Sequence, residues 1–228
     1  MIFAIGDLHF DNSGEKPMDI FGHNWSNHEE NIMNNWKKIV GEEDLVLLVG
    51  DTSWGLKLED AYEDLLKIEN LPGEKIMIKG NHDYWWDSLN KLNNLGLKTI
   101  KFIQNNSFIY DDNIAIIGTR GWSSIDNNEW SKQDEKIFKR ELNRLRLSLE
   151  SVKQNVEKKI VIIHYPPFNI DMTTNEFVDI MNEFDVDICI YGHLHAEGHK
   201  YAFNGMIKGI EFQCVSSDYI NFIPKKIL

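Results

Sequence analysis

The sequence predicts an α/β fold, and three observations carry the prediction. Short apolar runs that read as strands alternate along the chain with segments whose apolar residues recur at helical spacing. Five of those runs end directly in Asp, Asn or His: Phe3 to Ile5 before Gly6-Asp7-Leu8-His9, Leu45 to Val49 before Gly50-Asp51, Lys75 to Ile78 before Lys79-Gly80-Asn81-His82-Asp83, Ile160 to Ile163 before His164, and Ile188 to Tyr191 before Gly192-His193-Leu194-His195. In an open α/β sheet the carboxyl ends of the strands are where ligands bind, so five such ends make one consistent set. The third observation is length: 228 residues suffice for one domain with a substantial core, and a single domain over residues 1–228 is expected.

Composition bounds the function. Hydrophobic residues make up 42% and charged residues 26%, a globular balance. A formal net charge of −12 repels a polyanion, so no long nucleic acid is expected as partner. The apolar start, Met1 to Ile5, runs straight into Gly6-Asp7 with no basic region before it, and reads as a strand rather than a signal peptide. No apolar run reaches the length of a membrane span, and a cytoplasmic location is expected. Cys189 and Cys214 lack CxxC spacing and read as buried reduced thiols.

Taken in order, the first strand delivers Asp7 and His9 two residues apart, so their side chains point the same way and can share a ligand. Residues 10–25 form a polar loop long enough to be a lid or substrate loop. Within and just beyond it, Trp25 is expected to pack on the following helix, with His23 and His28 solvated. Ser26 or Asn27 caps that helix, which carries Glu29 and Glu30 in its first turn and Ile32, Trp36, Ile39 and Val40 on its apolar face. The run into Gly50-Asp51 is almost wholly apolar, as an interior strand covered on both faces should be. An amphipathic helix over 58–69 ends at Leu71-Pro72-Gly73.

After the strand at 75–78, Gly80 is read as a tight turn, and Tyr84-Trp85-Trp86 as the start of a helix. Residues 98–103, 108–110 and 114–117 alternate with turn residues and read as antiparallel strands opening a second sheet. A long helix is predicted over 129–156, its Lys and Arg residues on a solvated face. Then follow the strand into His164, a helix near 174–183, the strand into His193 and His195, and strands near 199–203 and 206–215.

The series GDLH, GD, GNHD, H and GHLH, spanning residues 6 to 195, resembles the calcineurin-like metallophosphoesterases. The resemblance implies the metallo-dependent phosphatase fold, a four-layer α-β-β-α sandwich of two mixed sheets flanked by helices. It also implies a dinuclear centre with Asp7, His9 and His195 on one divalent transition metal, Asn81, His164 and His193 on the other, and Asp51 bridging them. Manganese is the first expectation, with iron, zinc, cobalt or nickel as alternatives; the mixture of imidazole and oxygen donors without thiolate agrees with that choice.

The reaction implied is hydrolysis of a small phosphomonoester or phosphodiester by a metal-bridging hydroxide. His82 is placed as general acid, Asp83 as the carboxylate that orients it, and Arg120 as a phosphate contact. Arg120 enters because Trp54 and Gly55 stand where the protein Ser/Thr phosphatase branch, with its GDxxDRG, has Asp and Arg. That departure argues against phosphoprotein activity. A metallo-β-lactamase-type reading of His193 and His195 fails, since Ala196-Glu197 stand where that type needs Asp-His. The alternative from another class is a metal-binding scaffold of the same fold without catalysis.

Overall fold

A computed structural model describes residues 1–124 and 129–228. Eleven strands and five α-helices are formed by them: β1 (Ile2–Ile5), α1 (His28–Ile39), β2 (Leu45–Leu48), α2 (Leu58–Glu69), β3 (Glu74–Met77), α3 (Leu89–Asn93), β4 (Ile100–Phe102), β5 (Ser107–Tyr110), β6 (Ile114–Thr119), α4 (Lys132–Glu150), β7 (Lys158–Ile163), α5 (Glu176–Glu183), β8 (Ile188–Tyr191), β9 (Gly205–Ile207), β10 (Ile210–Cys214) and β11 (Lys225–Lys226).

The strands make two mixed sheets, ordered β11-β1-β2-β3-β4 and β5-β6-β7-β8-β10-β9. The interior pairs β1·β2, β2·β3, β6·β7 and β7·β8 are parallel. Parallel strands that are buried on both faces need apolar side chains on both, which is why β2 and β7 read as unbroken apolar runs. One set of side chains, including Ile2, Leu47, Ile76 and Ile78 from the first sheet and Ile116, Ile160, Ile162 and Ile190 from the second, forms a core shared by the two sheets.

The outer face of the first sheet is covered by α1, α2 and α3 through Ile32, Trp36, Leu65, Ile68 and Leu92. The outer face of the second is covered by α4 and α5 through Phe138, Leu145, Leu149, Phe177 and Met181. The result is the four-layer α-β-β-α sandwich. Among the described residues no helix is long and apolar enough to cross a membrane.

Several local expectations are corrected. Residues 100–102 belong to the first sheet, parallel to β3, and the second sheet opens instead with the β5–β6 hairpin. The aromatic run 84–86 precedes its helix, which begins only at Leu89. Residues 196–201 form 3₁₀ turns rather than a strand. Helix α1 starts without a side-chain cap, because Asn27 is in the left-handed region at φ 55°. His28 is buried, not solvated, and donates through Nε2 to the His9 carbonyl at 3.1 Å.

Candidate metal centre

The carboxyl ends of β1, β2, β3, β7 and β8 face one another, and the backbone ties their loops together. Asp7 N donates to the Gly50 carbonyl at 2.9 Å and His9 N to the Asp51 carbonyl at 3.0 Å. His82 N donates to Asp51 Oδ1 at 2.7 Å and His193 N to Asp7 Oδ2 at 3.0 Å. Gly80 is required by this packing rather than by a turn: its φ is ordinary, but a Cβ there would collide with the Asp51 carboxylate and backbone amide. Asp7, His9, Asp51 and His193 all take left-handed backbone, with φ of 58°, 49°, 51° and 73°. Such conformations are uncommon outside Gly and cluster at functional sites.

The seven residues expected to hold metal come together. Asp7, His9 and His195 form one triad and Asp7, Asp51 and His164 another, each with its donor atoms within 4.8 Å of one another. Asp51 Oδ2 stands 3.4 Å from His164 Nε2 and 3.9 Å from His9 Nε2, between the two halves of the site. Asn81 Oδ1 is 2.7 Å from His164 Nε2, and His193 Nδ1 is 3.2 Å from the same atom. His195 Nε2 is 3.4 Å from Asp7 Oδ1. With ligand bonds of about 2.1 Å, donors around one cation stand roughly 3 to 3.5 Å apart; the Asp51–His164, His164–His193 and Asp7–His195 spacings fall in that range, while Asn81–His164 is closer and His9–Asp51 wider. The donor set fits too: two carboxylates, four imidazoles and an amide oxygen, with the His9 Nδ1 atom buried and without a hydrogen-bond partner among the described residues.

Two imidazoles have their orientation fixed from behind. His164 Nδ1 donates to the Val49 carbonyl at 2.9 Å, and His195 Nδ1 donates to Asp218 Oδ1 at 2.8 Å, so Nε2 of each faces the cluster. Asp218 lies far beyond the last motif and has no sequence signal marking it. His199 Nε2 is 3.1 Å from its other oxygen.

Charges are strongly coupled here. Burial works to raise the Asp7 carboxyl, yet His195 and His164 hold it down to about 2. Burial opposes charge on His164 and His195 as well. Asp51 and Asp7 nevertheless raise His164 to about 9, and Asp7 with Asp218 raises His195 to about 10. Burial lowers His9 to about 4, and burial together with the charged His164 lowers His193 to about 3. Two carboxylates therefore draw positive charge to His164 and His195, a charge that a bound cation would supply in place of the protons, while burial keeps His9 and His193 neutral.

His82 sits at the edge of this cluster, half-buried, its ring centroid 4.6 Å from Trp54 and 6.2 Å from Tyr84. Burial lowers its pKa. Asp83 does not contact the His82 ring, which corrects its expected role. It is fully buried, and its two oxygens accept from the amides of Gly80, Asp51, Thr52 and Ser53 and from Trp85 Nε1, at 2.7 to 3.3 Å. Burial and then the Asp51 charge push its carboxyl up to about 6. Asp83 thus pins the loop after β2 to the loop after β3.

Arg120 is also corrected. Its guanidinium stacks on Trp122 at 4.5 Å and reaches Glu141 Oε1 at 3.4 Å, lining a different cavity. Only its backbone serves the site, the Arg120 carbonyl accepting from the amides of His164 and Tyr165.

The pocket over the cluster encloses about 160 Å³ and is walled by Met18, Phe21, Trp25 and Trp54 beside His9 and His82. Residues 10–25 thus supply an apolar wall, with Trp25 buried edge-on to both His9 and His195. Trp54 lies over the His9 ring at 4.7 Å. Trp85 belongs to the core, and Trp86 lines the cavity of Arg120.

Residues 1–197 match the sequence profile described as calcineurin-like phosphoesterase. An uncharacterized protein of Methanocaldococcus jannaschii is 24% identical over 174 residues, 75% of this chain and 88% of that protein. Among solved structures, a protein of unknown function from Aquifex aeolicus superposes with a TM-score of 0.53 at 17% identity, covering 99% of this chain and 94% of its own. The phosphopantetheinyl hydrolase of Mycobacterium tuberculosis superposes with a TM-score of 0.57 at 12% identity, covering 94% and 89%.

Proposed function

The chain belongs to the calcineurin-like phosphoesterase family, and on that premise we propose that it is a hydrolase of a small phosphomonoester or phosphodiester working with two divalent transition metal ions, manganese first among them. The observation that carries this reading is the convergence of seven N and O donors from five strand ends around Asp7 and Asp51. Asp7, His9 and His195 would hold one ion, Asn81, His164 and His193 the other, and Asp51 both. When bound, the ions would lower the pKa of water and offset charge on the phosphoryl oxygens.

The chain's own residues supply the rest. Val49 and Asp218 keep His164 and His195 turned with Nε2 inward, so donors are set before any ion arrives. Asp83 holds the Asp51 and Asn81 loops at a fixed separation. His82, outside the donor cluster but on the same strand end, is the proton donor to the departing oxygen. A lowered pKa makes it a stronger acid once a phosphoryl anion has helped it take up a proton. Met18, Trp25 and Trp54 exclude water from the side of the pocket that faces the leaving group.

The test is metal content by elemental analysis together with turnover of a panel of phosphomonoesters, linear and cyclic diesters and nucleotides with Mn²⁺ added. Two ions per chain with turnover that chelation abolishes is the expected result. Stoichiometric metal without turnover of any ester would instead support a metal-binding scaffold.

A further inference from the structure

A second cavity, of about 420 Å³, lies where β3, β4 and β6 end against α4, and it shares no lining residue with the proposed metal site. Lys79, Arg120 and Arg144 face it, with Glu141, Gln104 and Trp86. In a chain with 36 acidic and 24 basic residues, that concentration of cations is out of proportion.

Glu141 does not neutralise it. Its side chain is fully buried, and Oε1 alone is approached by three guanidiniums: Arg144 Nη1 at 2.9 Å, Arg120 Nη2 at 3.4 Å and Arg140 Nε at 3.4 Å. Oε2 is taken by the Thr119 hydroxyl at 2.8 Å. One negative charge thus stands against three guanidinium charges and the Lys79 ammonium. The other carboxylate on the cavity, Asp87, is paired with Lys91 at 2.6 Å.

Two donors lack a partner among the described residues. Lys79 makes no hydrogen bond or ion pair there, and Arg120 Nε is buried and unmatched. Gln104 Oε1 accepts from Trp86 Nε1 at 3.0 Å, leaving the Gln104 amide NH₂ as a further donor. Arginine forks with a lysine and an amide suit the tetrahedral, multiply charged oxygens of a phosphoryl group better than a monovalent anion.

We propose that this cavity is a second anion site, which takes a phosphoryl dianion on Lys79, Arg120 and Arg144. The dianion is either free inorganic phosphate or a second phosphoryl group on the substrate. The site adjoins the metal loops without being part of them: Lys79 precedes Gly80 and Asn81, and the Arg120 carbonyl accepts from the His164 amide. It stands on cavity residues alone, so it holds whether or not the chain proves to be a phosphoesterase.

The experiment titrates inorganic phosphate into the metal-loaded full-length protein by calorimetry, for wild type, Arg144→Gln and Lys79→Met, with metal content measured in each. Wild type should bind phosphate at the cavity, and a second phosphate per chain if the metal centre also takes one. Each variant should weaken the same single event tenfold or more while any other event and the metal content stay unchanged. Absence of any event that both variants weaken would overturn the site, whether wild type shows one event or two. A second arm identifies the source of the anion through the KM of a bisphosphorylated and a monophosphorylated ester. A KM raised in the variants for the bisphosphorylated ester alone assigns the site to substrate; unchanged KM values for both, with the phosphate event still lost, assign it to free phosphate.

Discussion

Replacing Asp83 by Asn keeps shape and volume but exchanges one acceptor oxygen for a donor NH₂. In the protein Oδ2 accepts from Gly80 N at 2.7 Å and Asp51 N at 2.9 Å, while Oδ1 accepts from Thr52 N at 2.8 Å, Ser53 N at 3.3 Å and Trp85 Nε1 at 3.0 Å. Whichever way the amide turns, its NH₂ meets at least two buried N–H groups. Each donor stranded in this way costs about 1–3 kcal/mol, which sums to roughly 2–6 kcal/mol. Relief of a buried charge that sits uneasily, its carboxyl pushed up to about 6, places the expected loss in the lower half of that range.

The loops after β2 and β3 should then separate, and metal affinity should fall by roughly 10- to 100-fold, as for other groups that support ligands from behind. Urea unfolding gives the first number, and metal content after dialysis against limiting Mn²⁺ the second. If Asp83 instead oriented His82, Asp83→Asn would lose turnover at full metal content and near-native stability. That outcome would refute the reasoning.

Asp51→Asn should lose both ions or nearly so and His9→Ala should mainly weaken one, by elemental analysis; equal full occupancy in both would remove Asp51 from the bridging position. His82→Ala should retain both ions and lose about 10²- to 10⁴-fold in turnover of an alkyl ester, with little loss on an aryl ester whose leaving group needs no proton. An equal loss on the two esters would assign His82 another task. Ile162→Ala, between the sheets and fully buried, should destabilise by about 2–5 kcal/mol in urea, whereas Ile109→Ala, 36% exposed on the hairpin, should cost far less. Similar losses at the two positions would contradict the shared inter-sheet core.

What could be read from the sequence was whatever combined residue type with position. Asp7, Asp51, Asn81, His164 and His193 each follow an unbroken apolar run, and strand topology alone sends such residues to one end of a sheet. Asp83 was visible as a carboxylate, but nothing in its neighbours says whether it faces an imidazole or a set of backbone amides; the loop after β2, some thirty residues earlier, decides that. Asp218 was invisible because it lies in an irregular segment 23 residues after the histidine it orients. The three residues of β4 are too few to show which sheet they join, and that choice rests on pairing with β3. Trp54 drew notice only as a missing carboxylate, although its indole stacks on His9.

The left-handed backbone at Asp7, His9, Asp51 and His193 narrows the alphabet available there before any chemistry is considered. Gly, Asn, Asp and, less often, His tolerate that conformation, and of these only glycine brings no electron pair to share. Backbone shape and ligand chemistry thus select almost the same letters at the same four positions. A practical consequence concerns the choice of knock-out. Alanine at Asp7 removes a donor and also imposes about 1–2 kcal/mol of left-handed strain, whereas glycine removes the donor and relaxes the chain. Comparing Asp7→Gly with Asp7→Ala in one metal-binding assay would separate the part of the defect that belongs to the lost oxygen from the part that belongs to the bend.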